Sequence, residues 1–219
     1  MVLSIPEVAQ RLSVSEARAR VLVESGRLPA QRVGGRWLVA EADLAAYFPR
    51  TGRPLSSANA WKLALLARGV ASTDWHPMER TRLREKLSTL SLAPDPVASL
   101  RSWFAKRAEK VELSSSPADL AELRNDPRIR LSGVSHPASG LLSGSEVEAY
   151  VSRKDVDSII RDWFLVRTWV NGQSNVVFHI VDEVPDEVPL LFVAADLAER
   201  PGAREQNAAL QLIGKIHAD

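Results

Sequence analysis

The sequence contains no cysteine, which excludes disulfides, thiolate catalysis and thiolate zinc sites. It has no run of about 18 apolar residues. Its start lacks the basic, apolar and small-residue order of an export signal, so the reading is of a cytoplasmic protein that does not meet a membrane. No two of its four histidines, His76, His136, His179 and His217, lie at the helical spacing of a metal site. His179 interrupts an apolar strand run and is expected on the solvent side of a sheet. Glycine-rich phosphate loops are missing, and Ser143-Gly144-Ser145 lacks the flanks of a nucleophile elbow. Asp182, Glu183, Asp186 and Glu187 cluster around prolines as an exposed turn. These absences point to a binding protein, not an enzyme, with no metal and no cofactor.

A net charge of +1 conceals an asymmetry. Residues 1–49 carry six basic and five acidic side chains, residues 50–110 twelve and five, and residues 111–219 ten and seventeen. A basic first half beside an acidic second half suggests that one end of the chain meets a polyanion.

Leu3 to Phe48 holds the clearest pattern. Ser4 precedes Glu7 by three residues and Ser13 precedes Glu16 by three, each a capping box in which hydroxyl and carboxylate satisfy amides at a helix start. Two helices are therefore expected, the first with Val8, Ala9 and Leu12 on one face, the second ending at Gly26. The periodicity then drops to two, and Gln31 to Val39 reads as a hairpin turning at Gly34-Gly35. Glu41 to Phe48 returns as a third helix, with Leu44, Tyr47 and Phe48 closing a small core against Leu12, Leu22 and Val23.

In the second helix Ala19, Leu22 and Val23 share the inner side, which leaves Glu16, Ala17, Arg20 and Val21 outward with Ser15 and Arg18 on the flank. An arginine in a major groove donates a bidentate pair to guanine, which makes Arg18 and Arg20 the preferred base readers. Arg32 and Arg36 flank the hairpin tip, where they would enter the minor groove or neutralise phosphate. The expected partner is double-stranded operator DNA; a homodimer on an inverted repeat and a monomer on direct repeats both fit.

The motifs IPEVA, Val14-Ser15, SGRLP and VGGRW, in this order, resemble the excisionase branch of the MerR-like winged helix-turn-helix domains. The resemblance covers residues 3–48 and implies that Ser15, Glu16, Arg18, Arg20, Arg32 and Arg36 line the DNA contact.

The whole chain reads as α+β, with a winged helix-turn-helix at residues 1–49, a linker at 50–55 containing Arg50, Gly52, Arg53 and Pro54, and a larger domain at 56–219. Three helices open that domain: a serine-capped segment stopped at Gly69, Pro77 to Leu90, and one from Asp95-Pro96 with Leu100, Trp103 and Phe104 inward. Strands at Val111–Leu113, Ile129–Leu131 and Val147–Val151 follow, with a helix between Pro117 and Arg124. Ser152 is expected to cap an amphipathic helix with Val156, Ile159, Ile160, Trp163 and Phe164 on one face. The apolar runs Val176–Val181 and Val188–Val193 read as strands, and helices at Asp196–Glu199 and Ala203–His217 close the chain.

This layout, with WKLALLARG near the start of the larger domain and LFVAADLAERPGAREQNAALQLI near its end, resembles the actinobacterial AbiEi-like antitoxins encoded beside AbiEii-like nucleotidyltransferase toxins. The resemblance implies an autorepressor that opposes such a toxin. The head departs from that group, lacking its Arg-rich, glycine-punctuated start. Two alternatives stay open: a stand-alone regulator or excisionase-like architectural factor whose second domain dimerises or senses a ligand, and a nucleic-acid enzyme with a DNA-targeting head.

Overall fold

The computed structural model describes residues 2–12, 14–47, 53–141, 144–168 and 174–216. The protein is α+β and divides into two compact units, Met1–Pro49 and Arg50–Asp219. No helix among the described residues is long and apolar enough to cross a membrane.

The first unit, the head, runs β1 (Val2–Ser4), α1 (Ile5–Arg11), α2 (Glu16–Glu24), β2 (Gln31–Val33), β3 (Arg36–Ala40) and α3 (Glu41–Ala46). The Glu7 carboxylate accepts from both the amide and the hydroxyl of Ser4, at 2.7 and 2.6 Å, and so fixes the start of α1. The second start differs from expectation. Ser15 caps α2, its hydroxyl accepting from the Arg18 amide at 3.2 Å; Ser13, the expected cap, lies outside the described residues. Gly26 takes the left-handed conformation that ends α2.

β2 and β3 pair through a turn in which both Gly34 and Gly35 have positive φ, the requirement of a tight hairpin that follows strand twist. β1, unforeseen in the sequence, adds to the other edge of β3, giving the antiparallel order β1-β3-β2. Val8, Ala19, Leu22, Leu28 and Val39 are fully enclosed in the small core, with Leu12, Trp37 and Tyr47 packed around it. Phe48 and Pro49 lie outside the described residues, as do residues 50–52 of the expected linker.

The second unit, the body, opens with α4 (Ser57–Ala67), α5 (Pro77–Leu90) and α6 (Pro96–Trp103), and Ser56, His76 and Asp95 each accept a capping bond from an amide of the first turn. It continues through β4 (Glu109–Ser114), α7 (Leu120–Leu123), β5 (Ile129–Leu131), two 3-10 turns (Gly133–Ser135 and Pro137–Ser139), β6 (Val147–Ser152), α8 (Val156–Asp162), β7 (Val166–Arg167), β8 (Val176–Val181), α9 (Leu190–Ala198) and α10 (Ala203–Ile216). The sheet has the order β5-β6-β8-β4-β7. β6 and β8 run parallel at its centre, and the remaining pairs are antiparallel.

The two central strands are buried on both faces, which explains their continuous apolar character. One face, with Val147, Ala149, Phe178 and Ile180, packs against Leu120, Leu123, Val156 and Ile159 of α7 and α8. The other, through Tyr150 and Val181, meets the core of α4, α5, α6, α9 and α10. Phe192 of α9 sits at the middle of this layer, 4.4 Å from Trp61 and 5.6 Å from both Phe104 and Tyr150 between ring centroids.

Several expectations are corrected. Val188–Val193 is not a strand; the chain turns at Pro189 into α9, which begins at Leu190, well before the expected Asp196. From Leu191 to Ala198 every residue of that helix is buried, so no polar face betrayed its period. Asp155, not Ser152, stands before α8, and Ser152 ends β6 while donating to the Asp155 carboxylate at 2.6 Å. Phe164 does not share the inner face of α8: it is 86 % exposed and has a φ of 50°. The helix expected between Pro117 and Arg124 is the single turn of α7.

Candidate nucleic-acid interface and the buried charge network

On α2 the inward residues are Ala19, Leu22 and Val23, while Glu16, Ala17, Arg18, Arg20, Val21 and Glu24 are exposed. A cleft of about 350 Å³ separates this exposed side from the hairpin, and Glu16, Arg20, Glu24, Arg32, Gly35, Arg36 and Trp37 line it. Four of the six residues singled out in the sequence, Glu16, Arg20, Arg32 and Arg36, thus meet around one opening. The other two stand elsewhere. Ser15 uses its hydroxyl as the helix cap, and Arg18, exposed on the first turn, does not line the cleft.

Arg32 is opposite Trp37 in the β2–β3 register, and its guanidinium carbon lies 5.8 Å from the indole centroid, which aims the side chain across the hairpin. Among the described residues none of Arg18, Arg20, Arg32 and Arg36 forms an ion pair, although Glu16 and Glu24 flank Arg20 by one helical turn on either side. Their donors are therefore open to phosphate oxygens or base edges.

The body holds a second constellation, which the sequence reading missed. His179 is not on a solvent face: it is buried, its Nε2 3.0 Å from Oε1 of Glu148 and 3.4 Å from Oδ1 of Asp196. Asp196 Oδ1 also accepts from Nε of Arg107 at 2.9 Å, from Nη2 of the same guanidinium, and from the Tyr150 hydroxyl at 3.2 Å. Its second oxygen accepts from Ser132. Glu148 Oε2 accepts from Nε and Nη2 of Arg200 at 3.1 and 2.9 Å and from the Val134 amide at 3.3 Å. Arg107 further reaches Glu199, and Arg200 reaches Glu146.

Burial and pairing pull these groups apart. Burial alone would raise Glu148, but the His179 hydrogen bond and charge together with Arg200 hold it at about 2. Asp196 goes the other way: burial outweighs His179 and Arg107 and raises its carboxyl above the usual range. Burial opposes the charge of Arg107, yet Glu199 and Asp196 overcome it and keep the guanidinium firmly protonated. Burial and the Asp196 charge push the Tyr150 phenol well up.

Glu148, His179 and Asp196 each bring one donor atom within 4.8 Å of the other two, a spacing one metal ion can bridge. The atoms are already committed, however, and the Arg107 guanidinium lies against the Asp196 oxygen that a cation would need. The geometry is that of a hub of buried salt bridges and hydrogen bonds tying β6, β8 and α9 to the segment before β4. A signal for it exists in the sequence: Glu148, His179 and Asp196 are the lone carboxylate or imidazole side chains inside VEAYV, VVFHIV and LLFVAADLA. A polar group inside an apolar run is buried and needs a partner.

Compared with known families, residues 2–50 match the family model of a helix-turn-helix domain. The match covers the head alone, which is a helix-turn-helix domain. No curated protein and no solved structure matches the chain.

Proposed function

We propose that this protein is a sequence-specific DNA-binding transcriptional autorepressor, acting in the cytoplasm as the antitoxin of a pair whose toxin is a nucleotidyltransferase. The observation that carries the DNA-binding part is the cleft of the head, where Arg20 of α2 faces Arg32 and Arg36 of the wing, all three without ion-pair partners among the described residues. In this reading α2 enters the major groove with Arg20 against a guanine edge. The wing arginines grip the adjoining backbone or minor groove.

The antitoxin part is supported by the resemblance of the body's opening and closing segments to AbiEi-like antitoxins. Those segments form α4, α9 and α10, whose apolar residues share one core. The role assigned to the body is binding without catalysis; the histidine–carboxylate cluster of Glu148, His179 and Asp196 is enclosed, with its carboxylates held by Arg200 and Arg107. The test is a gel shift of the purified protein on the DNA upstream of its own gene, at two salt concentrations and with a scrambled competitor. Binding that survives the competitor supports autorepression, and sequence-blind, salt-labile binding refutes it.

A second reading, a stand-alone regulator whose body senses a ligand, is favoured by one observation. A cleft of about 1070 Å³ opens beside the carboxyl ends of the parallel strands β6 and β8, lined by Trp61, Leu65, Lys106, Arg153, Asp182 and Val184 among others. Such positions receive ligands in open sheets with parallel strands. A neighbouring gene encoding a nucleotidyltransferase whose toxicity this protein relieves decides for the first reading.

A further inference from the structure

The end of α8 closes in a Schellman geometry: the Leu165 amide donates to the carbonyl of Ile160 at 2.9 Å and the Phe164 amide to that of Arg161 at 3.2 Å. The left-handed position of this motif ordinarily takes glycine, because a Cβ there is strained. Here it is Phe164, the one residue other than glycine with positive φ among the described residues. The strain gains no core contact, since the ring is 86 % exposed, and Val166 two residues later is 64 % exposed. A strained backbone that holds an aromatic ring in water points to a task for the ring outside the fold.

The surroundings define what would meet it. Val166 and Arg167 are β7, the edge of the sheet, paired on one side with Leu113 and Ser114 of β4 and on the other with no strand among the described residues. At the opposite edge the side chain of Arg130 of β5 folds back to donate to the carbonyls of Ile129, Pro127 and Asp186. Arg161 and Arg167, exposed on either side of Phe164 along the chain, have no ion-pair partner among the described residues, while Asp162 is held by Arg128. An edge arginine disfavours pairing with a second copy, which would bring like charges together. It favours an acidic strand.

We propose that Phe164, Val166 and the outer edge of β7 form a docking site for an extended segment of another protein, apolar at alternate positions and acidic between them. The segment adds a strand to β7, sets an apolar side chain against Phe164 and Val166, and pairs its carboxylates with Arg161 and Arg167. The proposal is independent of the DNA reading of the head.

The test uses the full chain and two synthetic octapeptides, one alternating Val or Leu with Glu, the other with Lys in place of Glu. The acidic peptide should bind the wild type and lose about tenfold or more in affinity on Phe164→Gly and Phe164→Ala. Arg161→Glu with Arg167→Glu should transfer the preference to the lysine peptide. Phe164→Gly should at the same time raise Tm by about 2–4 °C, because glycine relieves the left-handed strain, whereas Phe164→Ala should not; loss of binding in a more stable protein separates docking from folding. Failure of both peptides to bind, equal binding of the two, or full affinity in Phe164→Gly overturns the proposal. A concentration-dependent dimer abolished by Phe164→Gly assigns the surface to a second copy and overturns it as well. Competition by single-stranded oligo-dT would do the same in favour of nucleic acid.

Discussion

Gly133 lies directly against the carboxylate of Glu148, so that a Cβ at position 133 would overlap Oε1, Oε2 and Cδ of that side chain. The glutamate has little freedom to withdraw, because Arg200, His179 and the Val134 amide hold it from three directions. Gly133 also has a φ of 49°, so two independent requirements, space and backbone conformation, meet at one residue. Gly133→Ala should therefore destabilise the body by about 2–3 kcal/mol, read as a lower urea midpoint with unchanged m-value. A near-neutral result would mean that the Glu148 network yields easily.

Arg107 is the cation on which Asp196 and Glu199 both depend. Arg107→Met keeps much of the side-chain volume but leaves the buried Asp196 and the half-buried Glu199 without their cation. The expected loss is about 3–5 kcal/mol, the range for breaking a buried ion pair from one side. The double variant Arg107→Met with Asp196→Asn should recover part of it. A double variant no better than the single one would show that the two residues do not act as a pair.

The acid limb of stability follows from Glu148. Its carboxyl has an ordinary value of 4.5 and is held at about 2 in the fold. A depressed folded value contributes stability that is complete above pH 4.5 and lost as pH falls through about 2. Asp196, raised above its ordinary 3.8, acts in the opposite sense, its contribution being lost as pH rises through its folded value, and so makes the acid limb shallower. The stability gap between wild type and Glu148→Gln should therefore narrow steadily from pH 4.5 towards pH 2. Urea midpoints across that window measure it, and a constant gap would refute the assignment.

At the head, Arg20→Ala should cost about 1–3 kcal/mol on the specific operator and relax base preference at one position. Arg36→Ala should weaken all sequences alike and reduce the slope of affinity against salt. Fluorescence anisotropy on operator and scrambled duplexes at several salt concentrations distinguishes them; the same salt-independent loss for both would contradict the two roles.

The head was legible because its signals are local. The Ser4–Glu7 box, the Gly34-Gly35 turn and the spacing of Ala19, Leu22 and Val23 each act within a few residues, and each appears in the fold. β1 escaped notice because three residues carry no period, and only the distant pairing of Val2 with Ala40 makes them a strand. In the body the helices with capping signals were readable, whereas α9 was not, being enclosed on every side. The charge network was obscured for a related reason. Arg107, Glu148, His179 and Asp196 are far apart along the chain and come together only when two strands and a helix have packed. Their legible trace was a charge misplaced in apolar company.

The late position of α9 bears on how the chain comes off the ribosome. Synthesis delivers the head complete by about the time β1 can reach β3, since its farthest pairing joins Val2 to Ala40. The body must wait: Arg107, Glu148 and His179 emerge before Asp196, and Tyr150 before the Phe192 ring that covers it. Until α9 has followed, the central parallel strands expose one apolar face and an uncompensated guanidinium to water, a state prone to chaperone capture and proteolysis. A chain interrupted after the head, between about residues 50 and 190, would thus release a finished helix-turn-helix attached to an unfinished body.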